Sequence, residues 1–160
     1  MIFSDNQGII NIWTQACFKN HKECNKIMTK IPDSHTDLLK DEKKAFVYLT
    51  TLMPDGSPQV TPVWFNMEGD YILINTAVGR IKDRNMRVRP KIALCIQDPT
   101  NPYRYLQVHG QVVDFTTKGA DEHIDALTLK YRGIPKYPSR QPGEQRVKYK
   151  IQIEKVDAHG

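Results

Sequence analysis

Long hydrophobic runs are missing from this chain. None approaches the ~20 apolar residues that a membrane-spanning helix requires, and hydrophobic residues make up 39% of the 160, enough for a packed core but low for a protein solvated by lipid. Residues 1–8 lack the basic and apolar stretches of a signal peptide, so a cytoplasmic location is the expectation. Cysteine is scarce, with only Cys17, Cys24 and Cys95; an odd number without a secretory signal argues against a disulfide framework. The familiar catalytic signatures are absent too. There is no Gly-x-Ser-x-Gly elbow, no His-Glu-x-x-His, no Walker loop and no cysteine pairing at zinc spacing. Catalytic residues therefore stay unassigned, which fits chemistry performed by a cofactor and fits a binding module equally. Acidic residues are outnumbered, 18 against 23 basic ones. The resulting charge of +5 favours an anionic ligand without separating a cofactor phosphate from nucleic acid or a membrane surface.

The length suits one domain. Residues 1–27 are polar and weakly periodic, and form an N-terminal extension of unknown role; residues 28–160 form the domain. Cys17, His21 and Cys24 have ligand-like spacing, but a zinc site needs a fourth ligand, and no metal is expected. Ser34 and Asp37 resemble a capping box, starting a short helix through about Lys43 with Leu38 and Leu39 toward the core. Strands then dominate: 45–53, 59–67, 71–76, 91–97, 103–115 with a bend at Gly110, and 146–156. The turn at 54–58 rests on Gly56 and two prolines. Helices are expected between Gly79 and Pro90 and over 119–132, where Asp121 and Glu122 open the helix and Gly133 closes it. Residues 134–145 read as a loop. About six hairpin-linked strands suggest an antiparallel sheet that closes into a small barrel.

Two segments carry candidate chemistry. In 75–90, Asn-Thr-Ala-Val-Gly-Arg-Ile-Lys-Asp-Arg-Asn-Met-Arg-Val-Arg-Pro, a strand ends at Thr76, a loop carries Gly79 and a basic helix follows. Loop amides and a helix N-terminus favour an anion, and Arg80 and Lys82 add full charge; a phosphorylated cofactor is one reading and a solvated basic face the other. In Thr61-Pro62-Val63-Trp64-Phe65, Pro62 cannot donate to a ladder, so the strand is an edge or breaks locally. That leaves backbone free to meet a planar heteroaromatic ring, although Trp64 and Phe65 could equally be hairpin residues. His109 reads as a wall residue and His123 as exposed. Tyr103-Arg104-Tyr105 fits single-stranded nucleic-acid binding superficially, a weaker reading because alternation puts Arg104 on the face opposite both tyrosines.

Residues 50–65, Thr-Thr-Leu-Met-Pro-Asp-Gly-Ser-Pro-Gln-Val-Thr-Pro-Val-Trp-Phe, resemble the first hairpin of the pyridoxamine 5′-phosphate oxidase-like split β-barrel flavoproteins. Residues 75–86 are similar to that superfamily's phosphate-binding loop and helix. Asp98-Pro99, the run from Pro102 to Gly110, Lys130-Tyr131-Arg132-Gly133 and Tyr137-Pro138 resemble the branch that uses the deazaflavin coenzyme F420. The resemblance implies a mainly β, six-stranded antiparallel split barrel, a homodimer with cofactor sites at the subunit interface, and a hydride-transferring oxidoreductase acting on a small conjugated organic substrate. It implies coenzyme F420, with FMN as the alternative, and leaves a non-enzymatic cofactor-binding barrel as a further one. By position, Arg80 and Lys82 would bind the cofactor phosphate, and Thr76 and Asn85 would support the loop. Pro62, Val63 and Trp64 would line the ring, Gln107 would reach it, and 131–137 would form part of a substrate wall. Such chemistry can proceed without a protein acid or base; Tyr131 or Tyr137 is the conceivable proton donor. Arg84, Arg87, Lys136 and Arg140 are the candidates for the acidic tail of the deazaflavin coenzyme. The chain ends Val156-Asp157-Ala158-His159-Gly160, without the arginine-rich context of authentic pyridoxamine phosphate oxidases, so oxidation of vitamin B6 is not expected.

Overall fold

The computed structural model of the protein describes residues 31–160. The N-terminal extension and its Cys17, His21 and Cys24 lie outside them. Two 3-10 turns, Asp33–Leu39 and Asp41–Lys43, precede seven strands and two helices. These are β1 (Phe46–Leu52), β2 (Pro58–Val63), β3 (Phe65–Glu68), β4 (Tyr71–Ala77), α1 (Ile81–Val88), β5 (Lys91–Gln97), β6 (Tyr105–Thr116), α2 (Ala120–Arg132) and β7 (Arg146–His159).

All seven strands join one curled antiparallel sheet in the order β2-β1-β5-β6-β7-β4-β3, a split barrel as the strand pattern and the resemblance imply. The expected strand over 59–67 proves to be two. β2 pairs with β1 and β3 with β4, at opposite edges of the sheet, with Trp64 alone joining them. Pro62 sits on the edge strand, where its missing N–H costs no ladder bond. β7 lies between β6 and β4 and pairs with both, tying the four-strand half to the two-strand half.

Alternation places Val47 and Leu49 of β1, Leu94 and Ile96 of β5, Leu106 and Val108 of β6 and Val147, Tyr149 and Ile151 of β7 inside the curl, where they pack with Phe65, Ile72 and Ile74. Met86 of α1 and Leu38 cap this core, and Leu39 packs at its margin. The bend in β6 falls where expected, with register shifts on either side of Gly110 and Val112. A Cβ on Gly110 would sit 2.9 Å from Ile151 Cγ2 and 3.2 Å from the Gln152 carbonyl, so two backbones approach there as only glycine permits.

The capping box does not form. The first 3-10 turn opens after Pro32 without a side-chain cap. Ser34 Oγ instead bonds His35 Nδ1 at 2.9 Å, and Asp37 is drawn to the Arg104 guanidinium. Arg104 and Lys43 also hold the buried Asp98 at 2.7 and 3.0 Å. The charge-assisted bonds of Arg104, which also pairs the buried Asp98, outcompete a local cap, because bonds between ionised groups are stronger than one to a helix-end amide.

Candidate functional site

The turn between β4 and α1 is built by Asp83. Its Oδ2 accepts the Gly79 amide at 2.8 Å, and its Oδ1 accepts the Arg87 Nε at 3.0 Å and the Tyr149 hydroxyl at 2.6 Å. Gly79 supplies the positive φ of 84° that the turn requires. Val78 donates to the Gln145 carbonyl at 2.9 Å, and Arg80 N–H to Ala77 at 3.3 Å. The amides of residues 78–80 are therefore taken up within the protein and are not free to cradle an anion, which corrects the loop half of that expectation.

Those side chains converge on a cavity of about 180 Å³. It is lined by the cations Arg80, Lys82 and Arg146, by Asn75 and Thr76, and by the apolar and aromatic Pro62, Val63, Trp64, Ile124, Leu127 and Tyr137, with the Arg146 guanidinium 5.3 Å from the centre of the Tyr137 ring. Glu144 bridges two of the cations, accepting Arg80 Nη2 and Arg146 Nη1 at 2.9 Å each. Lys82 makes no hydrogen bond or ion pair among the described residues. Burial, reinforced by Arg80 and Arg146, holds its ammonium below the ordinary lysine range. Thr76 Oγ1 is buried and has no hydrogen-bond partner among the described residues. On the apolar side the Trp64 ring stacks on Tyr131, 5.2 Å between centroids and 6° from parallel, and meets the Tyr137 ring edge-on at 6.4 Å. An excess of positive charge, an orphaned hydroxyl and an aromatic wall in one cleft fit a planar ring that carries a phosphate.

A family model described as pyridoxamine 5′-phosphate oxidase matches residues 31–160. The chain belongs to that family. A solved F420 reductase is 29% identical, over 79% of this chain and 98% of its own length, with a TM-score of 0.69. A conserved hypothetical protein of Mycobacterium tuberculosis (16% identity, 83% of this chain and 87% of that one, TM-score 0.61) and the HupZ protein of group A Streptococcus (17%, 81% and 94%, TM-score 0.56) share the fold. No curated protein matches the chain. That family includes flavin- and deazaflavin-type oxidoreductases.

Of the cofactor-binding residues read from the sequence, Arg80, Lys82, Thr76, Pro62, Val63 and Trp64 line this cavity. Asn85 does not. Its Nδ2 donates to Thr51 Oγ1 at 3.0 Å and its Oδ1 accepts Arg89 at 3.2 Å, so it braces α1 against β1 rather than the loop. Gln107 does not line it either. It shares a cross-strand row with Cys95, Tyr48 and Pro62 on the outer face of the sheet, three strand spacings, or about 14 Å, from Pro62.

The four arginines and lysines assigned to an acidic tail are all engaged. Arg84 holds the Gly79 carbonyl, Arg87 holds Asp83, and Lys136 and Arg140 hold Asp125 at 3.0 and 3.1 Å. Tyr131 is a brace, its hydroxyl donating to the Ala45 carbonyl at 2.6 Å, and burial pushes its pKa up. Tyr137 faces the cavity as expected. His123 is buried, not exposed, with 9% of its surface accessible. It sits on the stripe of α2 that also buries Ala120, Ile124, Leu127 and Thr128, a spacing that helical periodicity could have exposed. Arg146 escaped the sequence reading, because it enters the site through β4–β7 pairing opposite Ala77.

Proposed function

We propose that this family member is a deazaflavin-dependent oxidoreductase that moves a hydride between bound coenzyme F420 and a small conjugated organic substrate. The observation that carries the reading is the convergence of Arg80, Lys82 and Arg146 with the aromatic and aliphatic side chains of Trp64, Tyr137, Pro62 and Val63 in one cleft. Arg80, Lys82 and Arg146 would neutralise the phosphate, and Thr76 would donate to it. Trp64, Tyr137, Pro62 and Val63 would flank the ring and keep water from it, which strengthens every polar contact nearby. The bound ring supplies the two-electron chemistry; the protein supplies position and electrostatics. The likeness to an F420 reductase supports the deazaflavin over FMN.

FMN remains the second reading, for a specific reason: the basic residues expected to hold a longer acidic tail are all occupied within the chain, and both cofactors present a ribityl phosphate to the same three cations.

The reading includes a second copy of the chain. Phe46, Tyr48 and Leu52 lie exposed on the outer face of β1, in continuity with the row that bears Gln107. A partner seated on that face would cover them and could bring its own Gln107 to the open side of the cleft. Parallel fluorescence titrations with F420 and FMN, together with light scattering, test the proposal. Tight binding of F420 by a dimer is expected. Preference for FMN would move the protein to the flavin reading, and binding of neither would refute a cofactor site.

A further inference from the structure

The cation cluster is wired to the interior by a chain of hydrogen bonds that the ligand contacts do not require. Arg146 Nε donates to Asn75 Oδ1 at 2.8 Å. Asn75 Nδ2 donates to the Ala120 carbonyl at 2.7 Å and faces His123 Nδ1 at 3.2 Å. His123 Nε2 lies 2.8 Å from Asn66 Oδ1, and Asn66 Nδ2 points at the Met67 carbonyl at 3.4 Å. Arg146, Asn75 and His123 are each buried.

One assignment satisfies every member. Arg146 can only donate, so Asn75 must turn its oxygen to it and its amino group to the histidine. His123 then accepts at Nδ1 and carries its proton on Nε2, which donates to Asn66. Every bond points the same way, from β7 through β4 and α2 to β3, so each polarises the next.

We propose that His123 and Asn66 are positioning residues for the anion site: through Asn75 they hold the Arg146 guanidinium in the orientation that meets the ligand phosphate. The inference rests on the phosphate-binding reading above. The neutral imidazole is what fixes Asn75. A proton on Nδ1 would face the Asn75 amino group donor to donor, turn the amide over, and set that amino group against Arg146. The surroundings keep the ring neutral. Burial first, then the positive charge of Lys148, push His123 down to about 4 against the opposing pull of Glu68, with Arg146 adding the smallest downward push.

The test pairs FMN with riboflavin, which differ by the phosphate alone. In His123→Asn the amide oxygen replaces Nδ1 and still accepts from Asn75; in His123→Gln that acceptor is gone while a donor still reaches Asn66. The expected result is that His123→Gln weakens FMN binding about tenfold or more while riboflavin changes by less than about twofold, and that His123→Asn restores most of the loss. Equal losses for FMN and riboflavin, an unchanged His123→Gln, or a His123→Asn as weak as His123→Gln would overturn the inference.

Asn66→Asp gives a second readout should His123→Gln not fold. A carboxylate there favours the imidazolium, so FMN affinity should fall as pH drops through about 6.5, with no such step in the wild type; parallel pH profiles would refute the relay. If wild-type protein binds no FMN, the flavin reading fails separately. Thermal protection by inorganic phosphate then decides: its loss in His123→Gln and retention in His123→Asn support the relay, and no protection of the wild type overturns it.

Discussion

Lys82→Met should make this protein more stable and a worse binder. Lys82 is half-buried beside Arg80 and Arg146 and has no anionic partner among the described residues. Methionine keeps the length of the side chain and removes its charge. Two like charges about one Debye length apart, roughly 8 Å, repel by about 0.5 kcal/mol even with the dielectric of water. Relieving the repulsion of both arginines gives about 1 kcal/mol, and removing the ammonium's desolvation, the largest cause of the shift, adds to it, so Tm should rise by about 3 °C or more for a chain of this size. The pH dependence follows from the direction of the shift. The native state holds the Lys82 proton less tightly than the unfolded state, so the wild type is handicapped fully below the lowered native pKa and recovers as pH rises toward the ordinary value of 10.5. The variant's advantage should therefore be greatest at neutral pH and vanish in strong alkali. Binding should move the other way. A charged hydrogen bond to phosphate is worth about 1.5–3 kcal/mol, so affinity for FMN or F420 should fall about 10- to 150-fold. Scanning calorimetry without ligand and fluorescence titration with it check the two halves. A variant that melts at or below the wild-type temperature, or binds within twofold of it, would refute the assignment of Lys82 to an anion site.

Gly110→Ala should cost about 1–3 kcal/mol by urea denaturation, because the new methyl meets Ile151 Cγ2 and the Gln152 carbonyl. Asp98 is held ionised by the Thr100 amide, then by Lys43, the Thr100 hydroxyl and Arg104, well below its ordinary pKa of 3.8. Its stabilisation is present above pH 3.8 and is lost as pH falls below it, so Asp98→Asn should lower Tm at pH 7 and flatten the acid limb of a Tm–pH profile; a limb parallel to wild type would contradict this. Tyr131→Phe removes the donor to Ala45 and should cost about 1–2 kcal/mol. Cofactor affinity should change less than about threefold, checked by titration, because the stacked ring beneath Trp64 remains.

The parts of this protein that were legible in its sequence are those decided by neighbours in the chain. Strands announced themselves through β-branched alternation, and the turn at 54–58 through glycine and proline. The grouping of Thr76, Arg80 and Lys82 in one cavity was visible because they lie within seven residues on one strand–turn–helix. What pairing across the sheet decides was not visible. Arg146 stands opposite Ala77, and nothing around it in a basic, proline-rich stretch singles it out. His123 was misplaced although its periodicity pointed elsewhere, since it shares its stripe with Ile124 and Leu127; the outer-face position of Gln107 was legible from its alternation with the buried Leu106 and Val108. Asp37 and Ser34 matched a local capping pattern that distant charges, chiefly Arg104, overrode. The break at Trp64 was anticipated as an edge or interruption near Pro62, but that one residue links opposite edges of the sheet is a property of closure, which no local pattern records.

β7 follows every other strand in chain order yet sits between β6 and β4. During synthesis, the ribosome therefore delivers the keystone last. Until residues 146–159 emerge, β6 and β4 are unpaired edges of two separate sheets. Arg146 begins the same strand, so the cluster of Arg80, Lys82 and Arg146 assembles in the same event that joins the halves. A chain cut short before this strand has neither a continuous sheet nor a complete charge cluster.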